Sequence, residues 1–254
     1  AGSFLGIVLV PIDPRPRGDK LVFMLANAKC KGVIAGDYAL PELLRVREQV
    51  TSLKWVVGLP TDEGGATTAQ LQAAGVRPYG EVAACDAAAD ELPGSNPDSP
   101  MELIYTSGTT GDPKGIVLTH RRYCETSRIA PFLFGFRAED RLYSGLSLTH
   151  ANAQVITLGT SLVNAIPCVL SRRFSKSRLW DITRRYGCPS FTLLGGMTTA
   201  VYAEPPRPDD ADHPVRTVIS AGMPAAIWNE FRTRFGVDVH EFYGAAEGGL
   251  TGNP

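Results

Sequence analysis

Between Leu103 and Gly115 the chain reads Leu-Ile-Tyr-Thr-Ser-Gly-Thr-Thr-Gly-Asp-Pro-Lys-Gly. An apolar, strand-like run leads into a loop with two glycines, a run of hydroxyls and one lysine. These supply backbone N–H groups, side-chain donors and a cation to one place, which is the chemistry of a phosphate cradle. A Walker loop is the obvious comparison, since Lys114 follows Gly108 at the same interval. It fails at two positions. Pro113 stands where that loop needs a glycine with a free N–H, and Gly115 stands where it needs the metal-binding hydroxyl. The bland alternative is a hairpin turn with polar decoration.

The elements that would carry this loop follow from the hydrophobic pattern. Val- and Ile-rich runs alternate with segments of helical period, which predicts an α/β fold of layered, mostly parallel sheets flanked by helices. Strands are expected at Ile7–Val10, Gly32–Ala35, Lys54–Gly58, Glu102–Thr106, Gly115–Leu118, Arg141–Gly145, Ile166–Leu170, Ser190–Leu194, Thr217–Ser220 and Val239–Tyr243. Helices are expected at Ser175–Tyr186, with Ser175 as its cap, and at Pro224–Phe235. In the second, Pro224 suits the first turn, Ala225, Ile227, Trp228 and Phe231 form an apolar stripe, and Gly236 suits the stop. Glu81–Pro100 and Pro205–Pro214 read as exposed loops. The expected division is a first α/β subdomain over 1–135, which holds the phosphate loop, and a second over 136–254.

Composition narrows the function classes. The 254 residues carry 25 Lys plus Arg against 26 Asp plus Glu, a formal net charge of −1, so no overall basic field exists to hold nucleic acid or an anionic membrane. No apolar run reaches the ~18 residues of a membrane helix. Cys30, Cys85, Cys124, Cys168 and Cys188 are odd in number and never spaced Cys-x-x-Cys, so reduced thiols in a cytoplasmic protein are expected. The absence of an initiator Met and of a signal sequence suggests a fragment that starts inside a domain.

Tyr105–Lys114 resembles the AMP-binding signature of the adenylate-forming enzymes, which include acyl-CoA synthetases, luciferases and peptide-synthetase adenylation domains. The resemblance extends to Val10–Pro14, to Leu148-Thr-His150 and to Glu241-Phe-Tyr-Gly-Ala-Ala-Glu247, similar to the family's Y-G-x-T-E motif. Phe174–Trp180 and Glu241–Gly244 look most like the fatty-acid-transport and very-long-chain acyl-CoA synthetases, and His150–Gln154 is similar to carnitine and crotonobetaine CoA ligases.

This resemblance implies ATP and coenzyme A as reactants and Mg²⁺ as cofactor, with a fatty or other apolar carboxylic acid as the small molecule activated. It assigns Thr106, Ser107, Gly108, Thr109, Thr110, Gly111 and Lys114 to the outer phosphates. Ala221, Gly222, Met223, Glu241, Phe242, Tyr243, Gly244 and Ala246 fall to AMP, with Tyr243 stacked on adenine. His150, Leu194, Gly195, Gly196 and Met197 line the acyl side. Glu247, with Thr106, falls to the metal, and Lys114, His150 and Glu247 to catalysis.

Ala246 departs from the pattern, because the family usually has Thr there. No Asp stands beside His150 to hold a substrate amine, which favours a plain acid over an amino acid. The resemblance further implies that the family's C-terminal domain lies beyond Pro254. An acyl-CoA synthetase is the expected activity. Loading of a carrier-protein thiol, or nucleotide or acyl binding without turnover, remain alternatives. Peripheral membrane contact is left open.

Overall fold

The computed structural model describes residues 2–85, 96–106, 111–248 and 250–253, in two compact units, residues 1–96 with 100–117 and residues 97–99 with 118–254.

In the first unit, β1 (Gly32–Gly36), β2 (Trp55–Leu59) and β3 (Arg77–Pro78) form a parallel sheet in that order. Helices α1 (Gly18–Asn27), α2 (Leu40–Val46), α3 (Thr68–Ala73) and α4 (Tyr79–Ala83) accompany it. Leu25, Leu40, Leu43, Val56, Leu71 and Val76 make its core. Packing there is close enough that a Cβ on Gly58 would lie 2.9 Å from both Leu71 and Val76. Helix α3 starts with a capping box, in which the Thr67 hydroxyl accepts from Gln70 N and the Gln70 carboxamide accepts from Thr67 N. Strand β4 (Pro100–Thr106), which leads into the candidate phosphate loop, pairs with β5 (Lys114–Thr119).

Three expectations about local structure need correction in this part of the chain or its neighbours. Ile7–Val10 is no strand: it makes one bridge, Leu9 with Glu102, through Leu9 N to Met101 O and Leu103 N to Leu9 O. Ile7, Val8 and Leu9 stay exposed, and Pro11 has no N–H to extend the ladder. Glu81–Ala83 belongs to α4 rather than to a loop, while residues 86–95 of the expected linker lie outside the described residues. Ser175 precedes a 3₁₀ turn (Lys176–Arg178), and its hydroxyl makes no cap bond.

The second unit is built on a six-stranded sheet of order β11-β10-β9-β8-β6-β7, with β6 (Leu142–Ser144), β7 (Cys168–Leu170), β8 (Ser190–Leu194), β9 (Thr217–Ala221) and β10 (Asp238–Gly244) parallel. Strand β11 (Leu250–Asn253) adds antiparallel to the β10 edge. Alternation along each strand sends neighbours to opposite faces. Tyr143, Val218 and Val239 join one core with α7 (Leu179–Tyr186), α8 (Gly195–Tyr202) and α9 (Trp228–Phe235). Leu142, Ile219 and Phe242 join another with α5 (His120–Phe134). Burial on both faces explains why β8 and β9 carry no charged residue.

Helix α9 is shorter than Pro224–Phe235: Pro224 lies outside it, a 3₁₀ turn (Ala225–Ile227) intervenes, Ala225 is exposed, and Gly236 ends it at φ 63°. Helix α5 contains Pro131, which leaves the Ser127 carbonyl without its helical donor. The Asn164 amide fills that role at 2.9 Å from the end of α6 (Thr160–Asn164), with the Thr160 hydroxyl at 3.4 Å.

Candidate active site

Thr106 ends β4, half-buried, and Lys114 opens β5 with its side chain exposed. Lys114 makes no ion pair or hydrogen bond among the described residues, so its charge is available to a ligand. Ser107, Gly108, Thr109 and Thr110 lie outside the described residues; Gly111 has open space where a Cβ would stand. The strand that launches the loop is anchored, since the Tyr105 hydroxyl lies 2.9 Å from Met24 O and 2.7 Å from Asn27 Oδ1 at the end of α1. A Cβ on Gly115 would come within 3.0 Å of Leu103 and 3.3 Å of Tyr105, which gives a steric reason for glycine there.

The remaining candidates sit in the second unit at the carboxyl ends of its parallel strands, the edge where open α/β sheets bind ligands. Register places Leu194 beside Ala221 and Ser220 beside Glu241. Gly195 and Gly196 therefore start α8 next to the Gly222 turn at the end of β9, where Gly222 has φ 83°. Gly196 has open space around it. Met197 packs half-buried against the core, and Met223 is buried in it.

At the end of β10 the alternation separates two aromatic residues. Phe242 turns inward, edge-on to Phe134 at 5.5 Å, whereas Tyr243 turns outward and is 72% exposed. Glu241 is half-buried, and Gly244 leads into a turn whose Gly248 N donates to Ala245 O. Arg122 of α5 donates to Ala246 O at 2.6 Å, pinning the turn that carries Glu247. The Glu247 carboxylate is exposed and has no partner among the described residues.

No group of three or more His, Cys, Asp or Glu side chains that could hold a metal occurs among the described residues. A lone carboxylate suits a hard cation that takes most of its ligands from phosphate and water, as Mg²⁺ does.

His150 follows β6. Its backbone N–H donates to Ser147 O, and its ring Nδ1 accepts from Asn152 N at 3.2 Å, so the neutral ring carries its proton on Nε2. Surrounding protein lowers its pKa, which favours that neutral form. Asn152–Gly159 then winds as a π-helix against α5. Tyr123 donates to Gln154 O and Ser127 to Val155 O, which ties the π-helix to α5. A Cβ on Gly159 would lie 2.2 Å from Ser127 Oγ, so α5 approaches this helix only because glycine is there.

Three residues outside the sequence-based assignments bear on these places. Arg122 meets Ala246 across 124 positions, a pairing without a local signal. Asn152 is buried two residues after His150. Glu102, one of β4's inward residues, is 1% exposed with neither carboxylate oxygen hydrogen-bonded, and burial pushes its pKa up to about 7.

Residues 1–253 match the AMP-binding enzyme family, and the chain belongs to that family. It is 32% identical over 245 residues to mouse long-chain fatty acid transport protein 1, covering 95% of this chain and 37% of that protein. To the medium/long-chain-fatty-acid–CoA ligase FadD6 of Mycobacterium tuberculosis it is 31% identical over 271 residues, covering 97% and 43% respectively. It thus spans about two fifths of the length of these curated relatives. The fold is shared with the anthranilate CoA ligase AuaEII, solved with anthranoyl-AMP (TM-score 0.76, 22% identity, 94% of this chain and 46% of that one). It is shared as well with the N-terminal domain of FACL13 from M. tuberculosis (TM-score 0.77, 22% identity, 98% and 60%). No helix among the described residues is long and apolar enough to cross a membrane.

Proposed function

We propose that this chain is part of an ATP-dependent acyl-CoA synthetase that activates a fatty acid or a related carboxylic acid. The observation that carries the reading is the family match over residues 1–253, with relatives named for fatty-acid transport and fatty-acid–CoA ligation. A carboxylate is a poor acceptor for a thiol. In the first step its oxygen attacks the α-phosphorus of ATP, the bond to the β-phosphate oxygen breaks, and pyrophosphate leaves. In the second, the thiol of coenzyme A attacks the acyl carbon and AMP departs with the bonding pair.

Neither step needs a covalent nucleophile from the protein. The demand is to hold anions together in fixed geometry. Thr106, the loop through Gly111, and Lys114 hold the outer phosphates. Tyr243 offers an exposed ring for adenine, beside the backbone of Ala221–Met223. His150 donates from Nε2 to the carboxylate or to a non-bridging oxygen of the α-phosphate whose phosphorus it attacks. Glu247 supplies a hard oxygen ligand for Mg²⁺, which when bound offsets negative charge on the phosphates. A reducing, cytoplasmic setting accords with five free thiols.

Ala246 favours a second reading, binding without turnover, because it lacks the hydroxyl the family usually places before this Glu. The two readings separate on acid-dependent ATP–pyrophosphate exchange by the full-length protein, which only an adenylating enzyme supports.

A further inference from the structure

Asn152 is 5% exposed, yet neither its Nδ2 nor its Oδ1 has a hydrogen-bond partner. Thr157, 1% exposed and one π-turn further on, has an unpartnered Oγ1 as well. Elsewhere this helix is well matched: α5 satisfies Gln154 O and Val155 O, and the Thr160 hydroxyl lies within reach of the Ser127 and Val155 carbonyls. The unmatched groups are therefore local to one face. That face begins two residues from His150, whose ring is tied to the Asn152 backbone, on a helix that also packs against β6 and β8. Buried polar groups in native proteins are nearly always satisfied, so an amide donor, an amide acceptor and a hydroxyl without partners, one π-turn apart, point to a partner that arrives from outside.

We propose that Asn152 and Thr157 recognise a polar substituent on the acid, one that both donates and accepts hydrogen bonds, of which a hydroxyl is the simplest. The inference rests on the adenylation reading and on placing the carboxylate at His150. A plain alkyl chain there would leave three buried polar atoms unpaired. A site built to hydrogen-bond a substrate hydroxyl discriminates strongly against the analogue that lacks it.

The test is pyrophosphate exchange by the full-length protein with straight-chain acids and with their hydroxy derivatives, the hydroxyl moved carbon by carbon. One hydroxy isomer is expected to exceed its alkyl parent by about tenfold or more in kcat/KM. Asn152→Leu is expected to remove about tenfold or more of the hydroxy-acid value while leaving the alkyl parent within about threefold. Thr157→Val, of nearly the same shape, serves as a second variant with the same signature, and thermal melting checks that both remain folded.

The inference is overturned if the wild type uses alkyl parents as well as or better than every hydroxy acid. It is equally overturned if both variants lower the two acids together, the pattern of a structural or water-filled polar pair. Exchange with no acid at all is a different result, which removes the adenylation reading and this inference with it.

Discussion

Gly195 and Gly222 meet backbone to backbone where β8 and β9 end: a Cβ on Gly195 would lie 2.4 Å from the Gly222 carbonyl oxygen. Gly222 itself holds φ 83°, a conformation that costs other residues about 1–2 kcal/mol. Two neighbouring strands thus bring their ends into contact at the candidate site, where a side chain on Gly195 would clash and one on Gly222 would be strained.

Gly195→Ala is expected to destabilise the protein by about 1–3 kcal/mol through this clash and to displace Ala221–Met223. Thermal melting gives the first effect. Weaker AMP binding by titration gives the second, and unchanged AMP affinity would separate this turn from the nucleotide.

Lys114→Ala is expected to weaken ATP much more than AMP, because the lysine is assigned to the outer phosphates. Loss of a charge-assisted bond corresponds to about 1.5–3 kcal/mol, or roughly ten- to hundredfold in affinity. Equal losses for both nucleotides by calorimetry would contradict the assignment.

Glu247→Gln keeps the shape of the Ala245–Gly248 turn and removes the charge. Adenylation is expected to fall, with a higher Mg²⁺ concentration needed for half-maximal rate, while acid affinity holds. If the Mg²⁺ titration does not move, Glu247 is not a ligand.

A buried and a half-buried group give the stability opposite pH trends. Glu102 is protonated more readily folded, at about 7, than unfolded, near 4.5, so stability falls as pH rises through that window, by on the order of 3 kcal/mol. Glu102→Gln should abolish the fall and raise the urea midpoint at pH 8. His213, stacked on Trp180 at 4.3 Å, has its pKa lowered by burial and by Arg184. Its contribution is present above the unfolded pKa near 6.5 and is lost as pH falls below that. His213→Phe should flatten the acid limb while keeping the stack.

The sheet of the second unit was partly legible in the sequence because β8 and β9, buried on both faces, carry no charged residue and keep Val, Ile, Leu and Phe around their Ser and Thr positions. Ile7–Val10 misled because an apolar run predicts a strand only where a sheet is available to bury it. Ser175 misled because a 3₁₀ turn intervenes before the helix. The assignment of a phosphate loop rests on hydroxyls, glycines and lysine in one short run, of which residues 107–110 lie outside the described residues, whereas the Arg122 to Ala246 bond joins residues with no shared local pattern. Asn152 carried no signal, since an Asn in sequence does not disclose that its amide will be buried without a partner.

The measurement that bears most directly on the central claim is acid-dependent ATP–pyrophosphate exchange by the full-length protein across short, long and hydroxylated carboxylic acids. Exchange that requires both an acid and Mg²⁺ and is strongly reduced in Lys114→Ala is the predicted result. ATP binding with no exchange for any acid would contradict it and leave a nucleotide-binding protein without turnover.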